Sequence, residues 1–160
     1  MDGDGALAPL VATEFHELNG EISSDGYWLA YQSDESGQYE VYVRPFPDVD
    51  EGRWQISQGG GTQPLWGPDG RELFYLSSVA QLTSVTVGTD PFTPGNPEVV
   101  LEETYYYGVG PMIGRTYDIS PDGTRFLMIK QGGGDDAAPT QVILVQNWLD
   151  ELKRLVPVDN

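Results

Sequence analysis

The chain contains no cysteine. Disulfides, thiolate metal sites and a cysteine nucleophile are therefore excluded, although the compartment is not fixed by this. Basic residues are scarce: 8 Lys and Arg stand against 25 Asp and Glu, giving a formal net charge of −17. A nucleic-acid backbone needs cations to displace its counterions, so nucleic acid is not expected as a partner. An anionic membrane surface is disfavoured in the same way. The acidity reads first as solubility. Its sharper reading is attraction to a cationic partner or to Ca²⁺. No apolar run approaches the ~18 residues of a membrane-spanning helix, and no membrane insertion is expected. Met1-Asp2-Gly3-Asp4-Gly5 lacks the basic and apolar regions of a signal peptide and reads as an artificial or fragmentary start. Histidine occurs once, at position 16.

What is present points to β structure. Hydrophobic residues make up 39% and aromatics 11% of 160 residues, enough for one domain with a sizeable core. Twenty Gly and twelve Pro punctuate short β-branched and aromatic runs, the pattern of an all-β chain with many tight connections.

One phrase recurs three times. It reads Ser24-Asp25-Gly26-Tyr27-Trp28-Leu29-Ala30-Tyr31, then Gly67-Pro68-Asp69-Gly70-Arg71-Glu72-Leu73-Phe74-Tyr75, then Ser120-Pro121-Asp122-Gly123-Thr124-Arg125-Phe126-Leu127-Met128. Each copy is a turn leading into an apolar strand. A second strand follows each, at Tyr39 to Arg44, Leu82 to Val87 and Gln141 to Val145. Such spacing means one supersecondary unit repeated along the chain. In each pair, Asp tolerates and Gly freely adopts positive φ, which predicts a two-residue reversal. The Asp carboxylates can accept backbone N–H bonds within the turn. Asp25, Asp69 and Asp122 could be metal ligands, but recurrence of the same residue in the same turn favours turn chemistry. Trp28, Trp54, Trp66 and Phe126 could stack on carbohydrate, but at strand positions they are expected to pack between sheets.

Further strands are expected at Arg53 to Ser57, Pro64 to Trp66, Glu98 to Leu101 and Thr116 to Ile119, with a turn at Asn19-Gly20. Asn147-Trp148-Leu149-Asp150 has the look of a capped helix start.

Ser120-Pro121-Asp122-Gly123 followed by an apolar strand, with Glu40-Val41-Tyr42-Val43 as a second strand, resembles the WD40-like (PD40) repeat of TolB-type β-propellers. Trp28 to Ser33, Tyr39 to Pro47, Gln55 to Ser57 and Arg71 to Leu76 carry the same likeness, which is closest to propeller domains at the C-terminal end of bacterial Ser/Thr protein kinases. It spans about residues 8 to 152. Ser24 and Gly67 depart from the repeat but leave its Asp-Gly pair intact.

The resemblance implies an all-β fold of three four-stranded antiparallel blades, half of a six-bladed propeller, plus a short C-terminal helix. The expected layout is a flexible tail at 1–7, a propeller region at 8–146 and a helix and tail at 147–160. Blades fall at about 14–57, 63–101 and 115–146, with 8–13 as an exchanged outer strand. Leu10, Val11 and Ala12 of one chain would pair with Val142, Ile143 and Leu144 of another, closing a ring as a homodimer. The family also implies a periplasmic or other extracytoplasmic location.

No catalytic constellation is apparent. Gly59-Gly60-Gly61 precedes an inner strand and reads as a loop rather than a phosphate cradle. There is no Gly-x-Ser-x-Gly elbow. The expected role is a binding module for a protein or peptide, or a sensor domain of a larger protein, with no cofactor and no metal. Loops 34–38, 46–52 and 105–112 are the expected contact surfaces, with Tyr105, Tyr106 and Tyr107 as the ligand surface. The alternative is a serine-type hydrolase or esterase using His16 with Ser24, Ser36 or Ser120.

Overall fold

The computed structural model describes residues 9–106, 114–130 and 141–146, and these form eleven strands with no helix among them. The first sheet contains β1 (Glu17–Ile22), β2 (Trp28–Ser33), β3 (Glu40–Pro45) and β4 (Trp54–Gln55). The second contains β5 (Gly61–Trp66), β6 (Glu72–Ser77), β7 (Leu82–Thr89) and β8 (Phe92–Leu101). The third contains β9 (Asp118–Ile119), β10 (Arg125–Lys130) and β11 (Gln141–Gln146). All pairings are antiparallel between consecutive strands, so each sheet is a meander.

The architecture is the expected blade array, with one difference: the third sheet has three strands among the described residues. The expected C-terminal helix at 147–160 lies outside the described residues, as does the tail at 1–7. Residues 9–13, expected as an outer strand, form no strand in this chain.

The repeated phrase builds the same turn three times. The N–H of Gly26, Gly70 and Gly123 donates to the carbonyl three residues back, at 2.9, 2.9 and 2.8 Å. Asp25, Asp69 and Asp122 each accept an N–H from two residues on, at 3.0, 3.0 and 3.1 Å. Only the glycine of each pair has positive φ (79°, 70° and 71°). The chain therefore reverses over four residues and ends on a left-handed glycine, instead of turning at the Asp-Gly pair itself. The expected turn at Asn19-Gly20 is also different: Asn19, at φ 51°, sits in a bulge inside β1. Gln63, at φ 56°, makes the matching bulge in β5. An inserted residue bends a strand without ending it.

Side-chain alternation then packs the sheets face to face. Ala30, Val41 and Val43 of the first sheet meet Leu73, Tyr75 and Val85 of the second. Trp28, Trp54 and Phe92 close the rim of that core, with ring centroids 4.6–5.7 Å apart. The other face of the second sheet, with Phe74 and Leu76, meets Phe126 and Met128 of the third. Phe74 and Phe126 stack edge to face at 5.0 Å. Trp28, Trp54, Trp66 and Phe126 are thus packing residues, as large aromatics on strands are expected to be.

Candidate functional site

Blade stacking lines the three turns up at one end of the array. A Cβ added at Gly70 would lie 3.2 Å from Ser24 Oγ, and one at Gly123 would lie 3.7 Å from Pro68 Cδ. One carboxylate oxygen of each of Asp25, Asp69 and Asp122 is engaged within its own turn. Bonds from Ser120 Oγ, the Thr124 N–H and the Thr124 hydroxyl pull Asp122 down to about 2. Among the described residues, no group of three or more His, Asp or Glu side chains could hold a metal ion.

His16 lies at the opposite end, just before β1. Its Nδ1 is 2.9 Å from Asp34 Oδ2, and its backbone N–H donates to Asp34 Oδ1 at 2.9 Å. These contacts hold the Asp34 carboxyl below the usual range, the backbone N–H first. The imidazole is 72% exposed. Ser24 and Ser120 follow the far ends of β1 and β9, separated from His16 by roughly the length of a strand, ~20 Å. Ser36 shares its end of the array and donates to the Gln38 carbonyl at 3.0 Å. Of the three candidate serines, only Ser36 remains on the right side for His16.

Ser36 lines a cleft of about 430 Å³ with Phe15, Tyr42, Arg53 and Gln55. There the Arg53 guanidinium pairs with Glu35 and sits 5.4 Å from the centre of the Tyr42 ring. Burial pushes the Tyr42 phenol up.

A second cleft, of about 520 Å³, opens at the turn end between the first two sheets. Loop 46–52, one of the expected contact surfaces, supplies part of its wall through Phe46, Asp48 and Glu51. The Tyr-rich surface is a correction. Tyr105 is buried between the second and third sheets, against Leu65 and Phe126, and its N–H donates to the Ala80 carbonyl at 3.0 Å. Tyr106 is half-buried and donates its N–H to the Ile129 carbonyl. These two tyrosines join blades rather than face a ligand, and Tyr107 lies outside the described residues.

The residues expected to pair between chains sit at the two ends of the array. Val11 packs on Leu29, Tyr31, Tyr42 and Val49 of its own first sheet, and Leu10 is exposed beside it in sequence. Val142 and Leu144 are exposed, while Ile143 packs against the core shared with the second sheet.

One feature escaped sequence reasoning. Asn19, Gln63 and Thr116 occupy the same position before the turn in β1, in β5 and just ahead of β9. Gln32 Oε1 accepts from Asn19 Nδ2 (3.0 Å) and from the Gln63 N–H (2.8 Å). Gln63 Oε1 accepts the Thr116 N–H at 2.8 Å and its hydroxyl at 3.0 Å. The Tyr117 hydroxyl donates to the Gln63 carbonyl at 2.8 Å, and burial raises its phenol well above the ordinary range. A polar lacing thus crosses all three inner strands. The two bulges aim the backbone groups that make it.

No protein-family model matches the sequence, and no curated protein matches it. Solved structures do. TolB from Acinetobacter baumannii superposes with a TM-score of 0.57 at 14% identity, over 81% of this chain and 29% of that one. A TolB candidate from Agrobacterium tumefaciens gives 0.56 at 20%, over 85% and 48%. An oligogalacturonate lyase from Vibrio parahaemolyticus gives 0.55 at 19%, over 76% and 32%. The chain spans less than half the length of each of these neighbours. Stacked four-stranded meanders, turns aligned at one end and these superpositions together establish the fold as that of TolB-like β-propeller blades.

Proposed function

We propose that this chain is a non-catalytic propeller interaction module for protein or peptide ligands, and that two copies close a ring of six blades. The observation behind this reading is the open side of the third sheet. Leu127 pairs with Leu144 and Ile129 with Val142, so these four share the face turned away from the second sheet. Leu127, Val142 and Leu144 are 46, 68 and 50% exposed. At the matching place on the second sheet, Phe74 and Leu76 are fully buried beneath the third. An apolar sheet face beside a strand that has no outer neighbour among the described residues calls for another sheet.

The other end of the array is covered by Val11, Phe46 and Val49, which lie over Leu29, Tyr31 and Tyr42. Ring closure sets that covered end of one copy against the bare third sheet of the other, twice, about a two-fold axis. Residues 9–13 need not leave their own sheet for this contact. Exchange of that segment would be an additional step.

The test is solution mass by light scattering. The parent chain is expected near twice 17.6 kDa, and Leu144→Lys at the single-chain mass. A parent that stays at one chain across the concentration range overturns closure by a second copy. The His16–Asp34 pair favours a second reading, a hydrolase with Ser36 as nucleophile. Acyl-ester hydrolysis abolished by both His16→Ala and Ser36→Ala would support it, and an inert parent would remove it.

A further inference from the structure

The cleft at the turn end is built from two blades. The first contributes the turn before β2 and the loop after β3, and the second contributes the reversal between β7 and β8. Its walls are aromatic: Tyr27, Trp28 and Phe46. Its rim is acidic: Asp25, Asp48, Glu51 and Asp90. Among the described residues, no Lys or Arg lines it and none of these four carboxylates takes part in a salt bridge. In a protein with so few cations, the carboxylates here have no counter-charge among the described residues.

We propose that this cleft binds the arginine or lysine side chain of a basic peptide segment. The inference rests on the interaction-module reading and names its site and the chemistry of its partner. An aromatic wall holds a cation over its ring faces while a carboxylate rim takes the charge-assisted hydrogen bonds. A metal ion fits less well, because the rim groups do not converge within one coordination sphere. A space of about 520 Å³ suits a side chain with its flanking backbone. Tyr27 stands 67% exposed at the entrance with no core role to explain it.

The probe is a fluorescently labelled hexapeptide of alternating Arg and Gly, with Glu in place of Arg as control. It is titrated against the full chain by anisotropy. Tyr27→Ala and the triple variant Asp48→Asn/Glu51→Gln/Asp90→Asn change only exposed residues. Each is expected to weaken binding of the Arg peptide about tenfold or more. A second triple, Glu14→Gln/Glu98→Gln/Glu102→Gln, removes the same charge from exposed positions outside the cleft. It is expected to change binding less than about threefold, since it alters only the long-range field. Equal loss in the two triples means diffuse attraction to an acidic surface, and it overturns the proposal. So does an Arg peptide that binds no better than the Glu control. Because the peptide and mass measurements are independent, a dimer that ignores the Arg peptide refutes this site and leaves ring closure standing.

Discussion

Glu40 is the place to test how the first two blades are joined. It opens β3, is only 2% exposed, and accepts from three donors. Oε1 takes Gln38 Nε2 at 2.7 Å and the Gly60 N–H at 2.9 Å, and Oε2 takes the Ser57 hydroxyl. Ser57 in turn accepts the Val41 N–H at 2.8 Å. This clamp fixes the crossover from the last strand of one sheet to the first strand of the next. Gly61 belongs to it too, since a Cβ there would fall 2.5 Å from the Ser57 Cβ. A carboxylate offers only acceptors and here faces only donors. Glu40→Gln keeps the shape but turns one oxygen into a donor and removes the charge from the remaining bonds. A buried donor without an acceptor costs ~1–3 kcal/mol, and charge-assisted bonds exceed neutral ones by about 1 kcal/mol. The expected loss is about 2–3 kcal/mol, read from urea unfolding by tryptophan fluorescence. Ser57→Ala is expected to cost ~1–2 kcal/mol, because it removes the same bond and strands the Val41 N–H. The double variant should then lose less than the sum by ~1 kcal/mol or more. Strict additivity, or a Glu40→Gln protein within about 0.5 kcal/mol of the parent, would refute the clamp.

Phe126→Ala should destabilise by ~3–5 kcal/mol, because a fully buried ring and its edge-to-face partner Phe74 are lost between two blades. Equilibrium unfolding measures this, and a cost below about 1 kcal/mol would mean that the third sheet does not pack as described. Stability should also fall at alkaline pH. Burial, and the charge of Glu40 beside it, push Tyr75 up to about 12, and burial raises Tyr31, Tyr42, Tyr105 and Tyr117 as well. The folded state therefore holds these protons more tightly than the unfolded chain does. That stabilisation is complete below the unfolded phenol value of about 10 and is lost as pH rises through the folded values. Tyr75→Phe should flatten the decline between pH 10 and 12, and an unchanged slope would contradict the assignment.

The fold was legible because the repeat is a physical device as well as a pattern. A glycine that must take positive φ, an Asp that must accept the N–H two residues on, and an apolar strand directly after them leave few ways to fold. The same two bonds, one from the glycine N–H and one to the Asp carboxylate, close all three turns. What the sequence concealed was the detail within the strands. Asn19-Gly20 has the composition of a reversal, yet it is a bulge, because pairing resumes at Glu21↔Ala30 after Leu18↔Gln32. Gln63 carries no turn signal and makes the same bulge, since its backbone and side-chain groups find partners on both flanking blades. Local propensity does not report a hydrogen bond to a residue tens of positions away.

The site was harder to read for a related reason. Three consecutive tyrosines look like a binding surface, but exposure depends on which side of a blade a segment crosses. The segment at Tyr105 and Tyr106 runs along the seam between the second and third sheets, where an aromatic ring is worth most as packing. The acidic cleft shows the converse. Asp25, Asp48 and Asp90 are far apart in sequence, and each alone is an ordinary turn or loop carboxylate. They share a rim only because the turn end of one blade abuts the hairpin end of the next. The excess of negative charge therefore has a location as well as a total. Part of it is gathered around aromatic walls, with no Lys or Arg among the described residues to neutralise it. A partner that brings a cation to those walls would neutralise charge that the described residues leave unpaired.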